Sequence, residues 1–244
     1  MTAPGRIGLV GGTFDPFHLG HLAVAHAAQF ALALDEVRII PASLPPHRTV
    51  QPRTSAAHRF AMAALGIASE RGLVVDDIEL TANGPSYTAA TLARFHARGF
   101  TASQLFFITG ADAFVEIATW RDYPRVLDLA HFVVVSRPGR SVATVRGHLA
   151  ALASRMCDVE PDAGRAAHDE AQPSILLIDA ATPNVSATRV RELAAARQPL
   201  TGLVSALVED HIARHHLYDT ATSAPSPAAG PIKAASPLHE QESV

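Results

Sequence analysis

The sequence has little of several features that mark common protein classes. It holds one cysteine, Cys157, in 244 residues, so an internal disulfide is impossible and a disulfide-stapled secreted domain is excluded. No apolar run approaches the ~18–20 residues that a membrane helix needs, and no apolar signal core follows Arg6 near the start. Charged residues make up only 18% and the formal net charge is −3, which argues against nucleic-acid binding by bulk positive charge. We therefore predict a cytoplasmic protein with no membrane and no nucleic-acid partner.

Apolar residues, in contrast, are abundant and are arranged in short runs. Hydrophobic residues account for 48% of the chain, too many for a mainly disordered protein. Six runs are typical of buried strands: Ile7–Val10, Val37–Ile40, Leu73–Val75, Leu105–Ile108, Phe132–Val135 and Ile175–Ile178. Apolar strands separated by helices indicate a parallel sheet covered on both faces. The predicted fold is therefore α/β, a doubly wound Rossmann-like parallel sheet that binds ligands beyond the carboxyl ends of its strands.

The stretches between these runs are predicted to form helices, because their apolar residues recur with helical spacing. The spacing of three and four predicts that one helix buries Leu19, Leu22, His26, Phe30 and Leu34. Further helices are predicted over residues 55–70, 88–98 and 203–216. Residues 156–173 are polar and irregular, which indicates a loop or an insertion. Residues 220–244 are rich in Ala, Ser and Pro and are predicted to be a disordered tail.

The first motif, GGTFDPFHLGH, covers residues 11–21 and joins the first strand to the first helix. This junction is the usual phosphate site of a doubly wound sheet, and the two leading glycines would let a phosphate chain approach the backbone. Thr13 adds a hydroxyl group. His18 and His21 share a helix face, from which imidazoles can donate to phosphate oxygens and stabilise developing negative charge. Gly20 between them is expected to leave room for a ligand against the helix.

The second motif, VSATRVR, covers residues 185–191 and follows the last strand. Asn184 or Ser186 could cap the helix that begins here. Ser186, Thr188 and the first N–H groups of the helix would form an anion site, and Arg191 lies on the same face, within reach of a phosphate. A plain capped helix with surface arginines is the alternative interpretation of this string.

Both strings resemble signatures of one enzyme family. The first resembles the H-x-G-H signature of the nucleotidyltransferase superfamily, whose members transfer AMP or CMP from a nucleoside triphosphate and release pyrophosphate. More narrowly, it resembles bacterial nicotinate-nucleotide adenylyltransferases. The second resembles their I-S-x-T-x-x-R signature, with Val185 in the Ile place. The resemblance implies a catalytic domain over residues 1–219, with the distal motif and C-terminal helices in 185–217.

The resemblance also implies roles for individual residues. The implied catalytic residues are His18, His21 and Arg191. The implied ATP-binding residues are Gly11, Gly12, Thr13, Phe14, Gly110, Asp112, Ser186 and Thr188, with Asp112 near the adenosine ribose. The implied substrate-binding residues are Asp15, Arg48, Tyr87, Thr88, Trp120 and Arg137. Among these, Arg48 replaces the Lys of a Pro-Pro-His-Lys segment, Trp120 would stack on a pyridine ring, and Arg137 could reach the mononucleotide phosphate.

The reaction implied by the resemblance joins ATP and nicotinate mononucleotide to give nicotinate adenine dinucleotide and pyrophosphate. Mg²⁺ is expected to bind through the ATP phosphates, with no separate protein metal site. Nicotinamide mononucleotide, alone or alongside nicotinate mononucleotide, remains an alternative substrate, and phosphopantetheine is a more distant one. A non-catalytic nucleotide-sensing module and a tRNA-synthetase fragment are further alternatives from other classes. The sequence leaves the oligomeric state open, including a homo-oligomer.

Overall fold

The computed structural model of the protein describes residues 5–44, 51–82, 84–139, 141–160 and 172–219. Its strands are β1 (Ile7–Gly12), β2 (Glu36–Pro41), β3 (Leu73–Val75), β4 (Leu105–Gly110), β5 (His131–Val135), β6 (Met156–Val159) and β7 (Ile175–Ile178). They form one sheet in the order β3-β2-β1-β4-β5-β7-β6, and every neighbouring pair is parallel. The predicted doubly wound α/β fold is confirmed.

The strand order reverses direction between β1 and β4. From β1 the chain builds outward through β2 to β3, then returns to place β4 and β5 on the other side of β1. Val10 pairs with Ile108 in the last register position of the β1–β4 ladder, and both strands continue by two residues beyond it. Connections that leave neighbouring strands toward opposite sides open a crevice at the carboxyl ends of those strands.

Helices cover both faces of the sheet. They are α1 (Leu19–Ala31), α2 (Ala56–Gly66), α3 (Thr88–Ala97), α4 (Ala111–Phe114), α5 (Val142–His148), α6 (Ala187–Ala195) and α7 (Ala206–Arg214), with short 3-10 turns between some of them. One apolar cluster packs α3 against one face, and a second packs α1 against the other. No helix in the described part of the chain is long and apolar enough to cross a membrane.

The buried face of α1 differs from the prediction. Its buried residues are small, including Ala25, Ala28 and Ala31, which lets the helix lie close to the sheet. Phe30 is 68% exposed and only meets the edge of the His26 ring. Leu34 is buried, but it lies beyond the end of the helix. The prediction followed the spacing of the large apolar residues, whereas the face of α1 that packs on the sheet is made mainly of alanines.

Residues 156–159 are also not the loop that their polarity predicted. They form β6, an edge strand that pairs with β7. Met156 and Val159 are buried, whereas Asp158 is exposed and carries an ion pair with Arg146. A polar residue in the middle is typical of an edge strand. Cys157 lies half-buried in this strand, and residues 161–171 lie outside the described part.

A smaller unit packs beside the sheet at the C-terminal end. Its apolar cluster joins α2, α6 and α7 and ends at Tyr218. Val185 and Val190 of the second motif belong to this cluster, so it fixes where that motif lies. The predicted helix over 203–216 is observed as the shorter α7.

Candidate active site

A cavity of about 220 Å³ lies at the carboxyl ends of β1 and β4. We call it the nucleotide cavity. Its lining comes from both motifs and from the end of β4: Val10, Gly11, Gly12, Thr13, Phe14, Asp15, Gly20, His21, Val24, Ile108, Thr109, Gly110, Asp112, Ala113, Arg137 and Ala187. Most of the residues predicted to bind ATP therefore surround one space.

His18 and His21 cap the first turn of α1 reciprocally. The N–H of His21 donates to His18 Nδ1 at 3.3 Å, and the N–H of His18 donates to His21 Nδ1 at 3.2 Å. The two rings stack at 3.6 Å between centroids. A neutral imidazole that accepts at Nδ1 carries its proton on Nε2. The His-x-x-His spacing therefore makes a capping box that leaves each neutral ring with an Nε2–H donor.

His18 lies deeper than His21 and is only 3% exposed. No described residue accepts from its Nε2–H, although His18, unlike His21, is not a lining residue of the cavity. Burial, helped by the nearby charge of Arg137, lowers the pKa of His18 from 6.5 to about 3. His18 is therefore neutral at physiological pH before a ligand binds, and it acts as a donor rather than as a cation.

The glycines of the first motif make room for the chain's own aromatic rings. A Cβ on Gly12 would lie 2.7 Å from the Phe14 ring. A Cβ on Gly20 would lie 3.1 Å from the His18 ring and 3.4 Å from the Val185 carbonyl. A side chain at Gly20 would therefore meet His18 and Val185, and the glycine itself lines the nucleotide cavity. Phe14 itself is buried against Phe17 and His21.

The second motif meets the first through Arg191. Its Nη1 donates to the backbone carbonyl of Asp15 at 2.7 Å, and its Nη2 donates to the hydroxyl of Thr188 at 3.1 Å. Ser186, rather than Asn184, caps α6 by accepting from the N–H of Arg189. The interpretation of this string as a plain capped helix with surface arginines therefore fails for Arg191, which is only partly exposed and faces the first motif.

Asp15 has a different environment from a typical ligand-binding carboxylate. It is 4% exposed, and its two oxygens accept from the Arg53 N–H, the Thr54 hydroxyl and the Tyr218 hydroxyl. Its side chain is thus engaged by the chain itself, although the residue lines the cavity.

Arg59 is a buried cation that sequence reasoning missed. It is 2% exposed, and its guanidinium donates to the carbonyls of Thr13, Ala42 and Ser43. It therefore joins the loop after β1, whose Thr13 lines the cavity, to the end of β2. The available signal was the spacing: Arg59 lies four residues before Ala63, which places the two on one face of the helix, and both are buried.

Arg137 joins the end of the sheet to the second motif. Its Nη2 donates to the Val185 carbonyl at 3.1 Å, and its Nη1 lies 3.8 Å from the Asp112 carboxylate. A Cβ on Gly110 would clash with Asp112, at 2.6 Å, and would lie 3.0 Å from Arg137. Asp112 does not cap α4, since Gly110 stands at the N-cap position. Both charged side chains thus border the cavity.

Tyr87, Trp120 and Arg121 lie together outside the nucleotide cavity, and we call them the aromatic patch. The Arg121 guanidinium lies 4.7 Å above the Tyr87 ring. The half-buried Trp120 meets the Phe107 and Phe132 rings edge-on at 6.0 and 6.4 Å. A Cβ on Gly11 would lie 3.4 Å from the Phe107 ring, so Phe107 separates the cavity from the patch.

Hydrogen bonds to neighbouring segments hold the loop that carries Tyr87. Ser86 accepts from the N–H of Ser43 at 2.8 Å, which ties this loop to the end of β2. The buried Glu79 accepts from the Thr91 hydroxyl of α3, and burial raises its pKa. Thr88 begins α3. Arg48 lies outside the described residues, so its predicted role stays a prediction.

The site and the fold together define a nucleotidyltransferase. The cytidylyltransferase-like family model matches residues 9–193, from β1 through α6. A protein of Desulfatibacillum aliphaticivorans named "probable nicotinate-nucleotide adenylyltransferase" is 37% identical over 87% of this chain and 99% of its own length. A protein of the same name from Moorella thermoacetica is 36% identical over 89% of this chain and 94% of its own. The chain belongs to the nicotinate-nucleotide adenylyltransferase family, as its motifs predicted.

Solved structures give the same fold. Nicotinic acid mononucleotide adenylyltransferase of Plasmodium falciparum, complexed with NaAD, has a TM-score of 0.63. The alignment covers 87% of this chain and 97% of that protein at 14% sequence identity. At this identity the likeness supports the fold, and the case for the chemistry depends on the residues of this chain.

Proposed function

We propose that this protein transfers AMP from ATP to nicotinate mononucleotide, giving nicotinate adenine dinucleotide and pyrophosphate, as a step of NAD biosynthesis. The observation that carries the proposal is the contact between the motifs: Arg191 reaches the Asp15 carbonyl at the rim of the nucleotide cavity. The names of relatives that align over nearly their full length support the choice of substrate.

The chemistry needs no general base from the protein. The phosphate of the mononucleotide is already a nucleophile, and one of its oxygens attacks the α-phosphorus of ATP in line as the bond to pyrophosphate breaks. Catalysis then consists of positioning and of charge stabilisation. His18 would donate its Nε2–H to the α-phosphate, and His21 would hold the triphosphate beside it.

The cationic side chains would act at the two ends of the phosphate chain. Arg191, with Ser186 and Thr188, would hold the leaving pyrophosphate, and Arg137 would attract the incoming mononucleotide phosphate. A bound polyanion would also raise the pKa of His18, because a nearby negative charge favours the protonated ring. His18 could then donate more strongly as charge develops.

Mg²⁺ would enter with ATP. Within the described ranges, no three His, Cys, Asp or Glu side chains are grouped as metal ligands. Asp15, the buried carboxylate of the cavity, is already engaged by three donors of the chain. The phosphates and water would therefore supply most of the oxygen ligands that Mg²⁺ requires.

The mononucleotide would use the aromatic patch. The indole of Trp120 offers a flat face for a pyridine ring, and Tyr87 and Thr88 would border the nicotinate carboxylate at the start of α3. Gly110 and Asp112 would face the adenosine ribose.

An assay of pyrophosphate release tests the proposal. The protein is incubated with MgATP and, in separate reactions, nicotinate mononucleotide, nicotinamide mononucleotide or phosphopantetheine. We expect the highest kcat/KM with nicotinate mononucleotide and nicotinate adenine dinucleotide as the product. Preference for phosphopantetheine, or no release with any acceptor, would refute it.

A further inference from the structure

Asp15 joins three distant parts of the chain to its own loop. Its Oδ1 accepts from the Thr54 hydroxyl at 2.7 Å and the Tyr218 hydroxyl at 2.8 Å, and its Oδ2 accepts from the Arg53 N–H at 2.7 Å. Its backbone carbonyl accepts from Arg191 at 2.7 Å. The side chain of Asp15 thus fixes the backbone group that holds Arg191.

Tyr218 brings the C-terminal unit to this point. It is 7% exposed and packs in the same apolar cluster as Val185 and Val190 of the second motif. Burial and the charge of Asp15 raise the pKa of Tyr218 far above 10. The hydroxyl therefore stays protonated and donates to the carboxylate at every physiological pH.

A second contact joins the same unit to the catalytic helix. The N–H of Leu19, the residue after His18, donates to the Leu203 carbonyl at 2.9 Å. The C-terminal unit therefore touches the first motif at two points, at Asp15 and beside His18. This unit supplies no described lining residue of the nucleotide cavity beyond the second motif itself.

We propose that Tyr218 is a positioning residue for adenylyl transfer: its hydroxyl orients the Asp15 carboxylate, and Asp15 in turn holds Arg191 against the ATP phosphates. The proposal rests on the proposed function, since it assigns a consequence to the phosphate-binding role of Arg191. It predicts a larger effect on ATP than on the second substrate, because the residue that Asp15 holds is the phosphate-binding Arg191.

The test is Tyr218→Phe, which keeps the ring and removes the donor. We expect the KM for ATP to rise about tenfold, the change that corresponds to losing one hydrogen bond to a charged group. The KM for nicotinate mononucleotide should stay within twofold. Calorimetric titration of the full chain with a non-hydrolysable ATP analogue should show the same loss of affinity, and this readout is independent of which acceptor the enzyme uses.

Ser205→Ala is the matched control. Ser205 caps α7 and donates to the Leu65 carbonyl in the same C-terminal unit, away from Asp15. It should lower Tm without changing the KM for ATP. Thr54→Val, which removes the other hydroxyl donor to Asp15 Oδ1, provides a second variant should Tyr218→Phe fail to fold.

Three results would overturn the proposal. The first is an unchanged affinity for the ATP analogue in Tyr218→Phe and in Thr54→Val. The second is an equal rise in KM for both substrates. The third is a Ser205→Ala variant that loses ATP affinity in proportion to its loss of Tm. An inactive wild-type enzyme that binds the analogue would refute the proposed function alone.

Discussion

Buried hydrogen bonds between distant segments hold the nucleotide cavity, whereas the side chains of the aromatic patch make mainly ring contacts. On the cavity side, Asp15 and Arg59 are both under 5% exposed and bind groups from several loops. On the patch side, Trp120 is half-buried and Arg121 is exposed above Tyr87. Phosphate chemistry needs donors fixed before charge develops, while recognition of a flat ring needs mainly an apolar surface.

This comparison predicts that substitutions on the cavity side lower the rate or the stability, and that substitutions in the patch change substrate affinity. The largest effect is expected for His18→Ala. Removing the Nε2–H donor should reduce kcat about a hundred- to a thousandfold, the usual effect of losing one preorganised donor to a transition state. Steady-state kinetics should show little change in the KM for ATP.

The control for His18→Ala is His26→Ala on the same helix. His26 pairs with Glu70, and both residues lie outside the two motifs, so kcat should remain within twofold. Near-normal turnover of His18→Ala would contradict the prediction that substitutions on the cavity side lower the rate.

Arg59→Met should give the next largest effect, on stability. It leaves the carbonyls of Thr13 and Ala42 without their buried donor and removes a positive charge near Asp15. We expect the free energy of unfolding to fall by about 3 kcal/mol, measured by urea denaturation. Arg53→Ala is the control, because Arg53 binds Asp15 through its backbone and its side chain is exposed. A loss no larger in Arg59→Met than in Arg53→Ala would contradict the prediction.

The lowered pKa of His18 should make stability depend on pH. Between the folded value of about 3 and the unfolded value of 6.5, the unfolded chain binds a proton that folded His18 does not. The lowered pKa of His18 therefore costs almost no stability above pH 6.5, and the free energy of unfolding falls as the pH drops below that value. From pH 7 to pH 5 the loss is about 2 kcal/mol.

His18→Asn isolates this contribution, since its side-chain oxygen can still accept from the His21 N–H at the N-cap. Urea denaturation at the two pH values should show a wild-type loss about 2 kcal/mol larger than the loss of His18→Asn. Equal losses would mean that His18 is protonated in the folded protein.

Much of the cavity could be predicted from the sequence because most of its lining lies in or beside the first motif and at the end of the apolar strand β4. His18 and His21 are three apart on a helix that follows a strand, and this spacing determines a shared face. Gly110 and Asp112 follow an apolar strand, and the carboxyl ends of parallel strands meet at one edge. The fold could be predicted from local pattern as well. A strand that is apolar throughout must be covered on both faces, which is typical of a parallel sheet between helices.

The rest depends on contacts that no local pattern records. The hydrogen bond between Tyr218 and Asp15 spans 203 residues, and nothing near Tyr218 distinguishes it from a packing tyrosine. Arg59 lies among alanines in a typical helix sequence, and its three carbonyl partners belong to other segments. The prediction that Phe30 is buried was wrong for a different reason. The periodicity gives most weight to large apolar side chains, whereas the sheet packs against the small side chains of α1.

The smallest effect is expected in the aromatic patch, from Trp120→Ala. Losing the indole face should raise the KM for nicotinate mononucleotide about tenfold, as loss of one stacking contact is worth on the order of 1 kcal/mol. The KM for ATP should not change, because Trp120 touches Phe107 and Phe132 rather than the cavity. Trp120→Phe keeps a flat face and should lose little. An equal rise in both KM values would mean that the two regions act as one, since Phe107 would then transmit the change to the cavity beside Gly11.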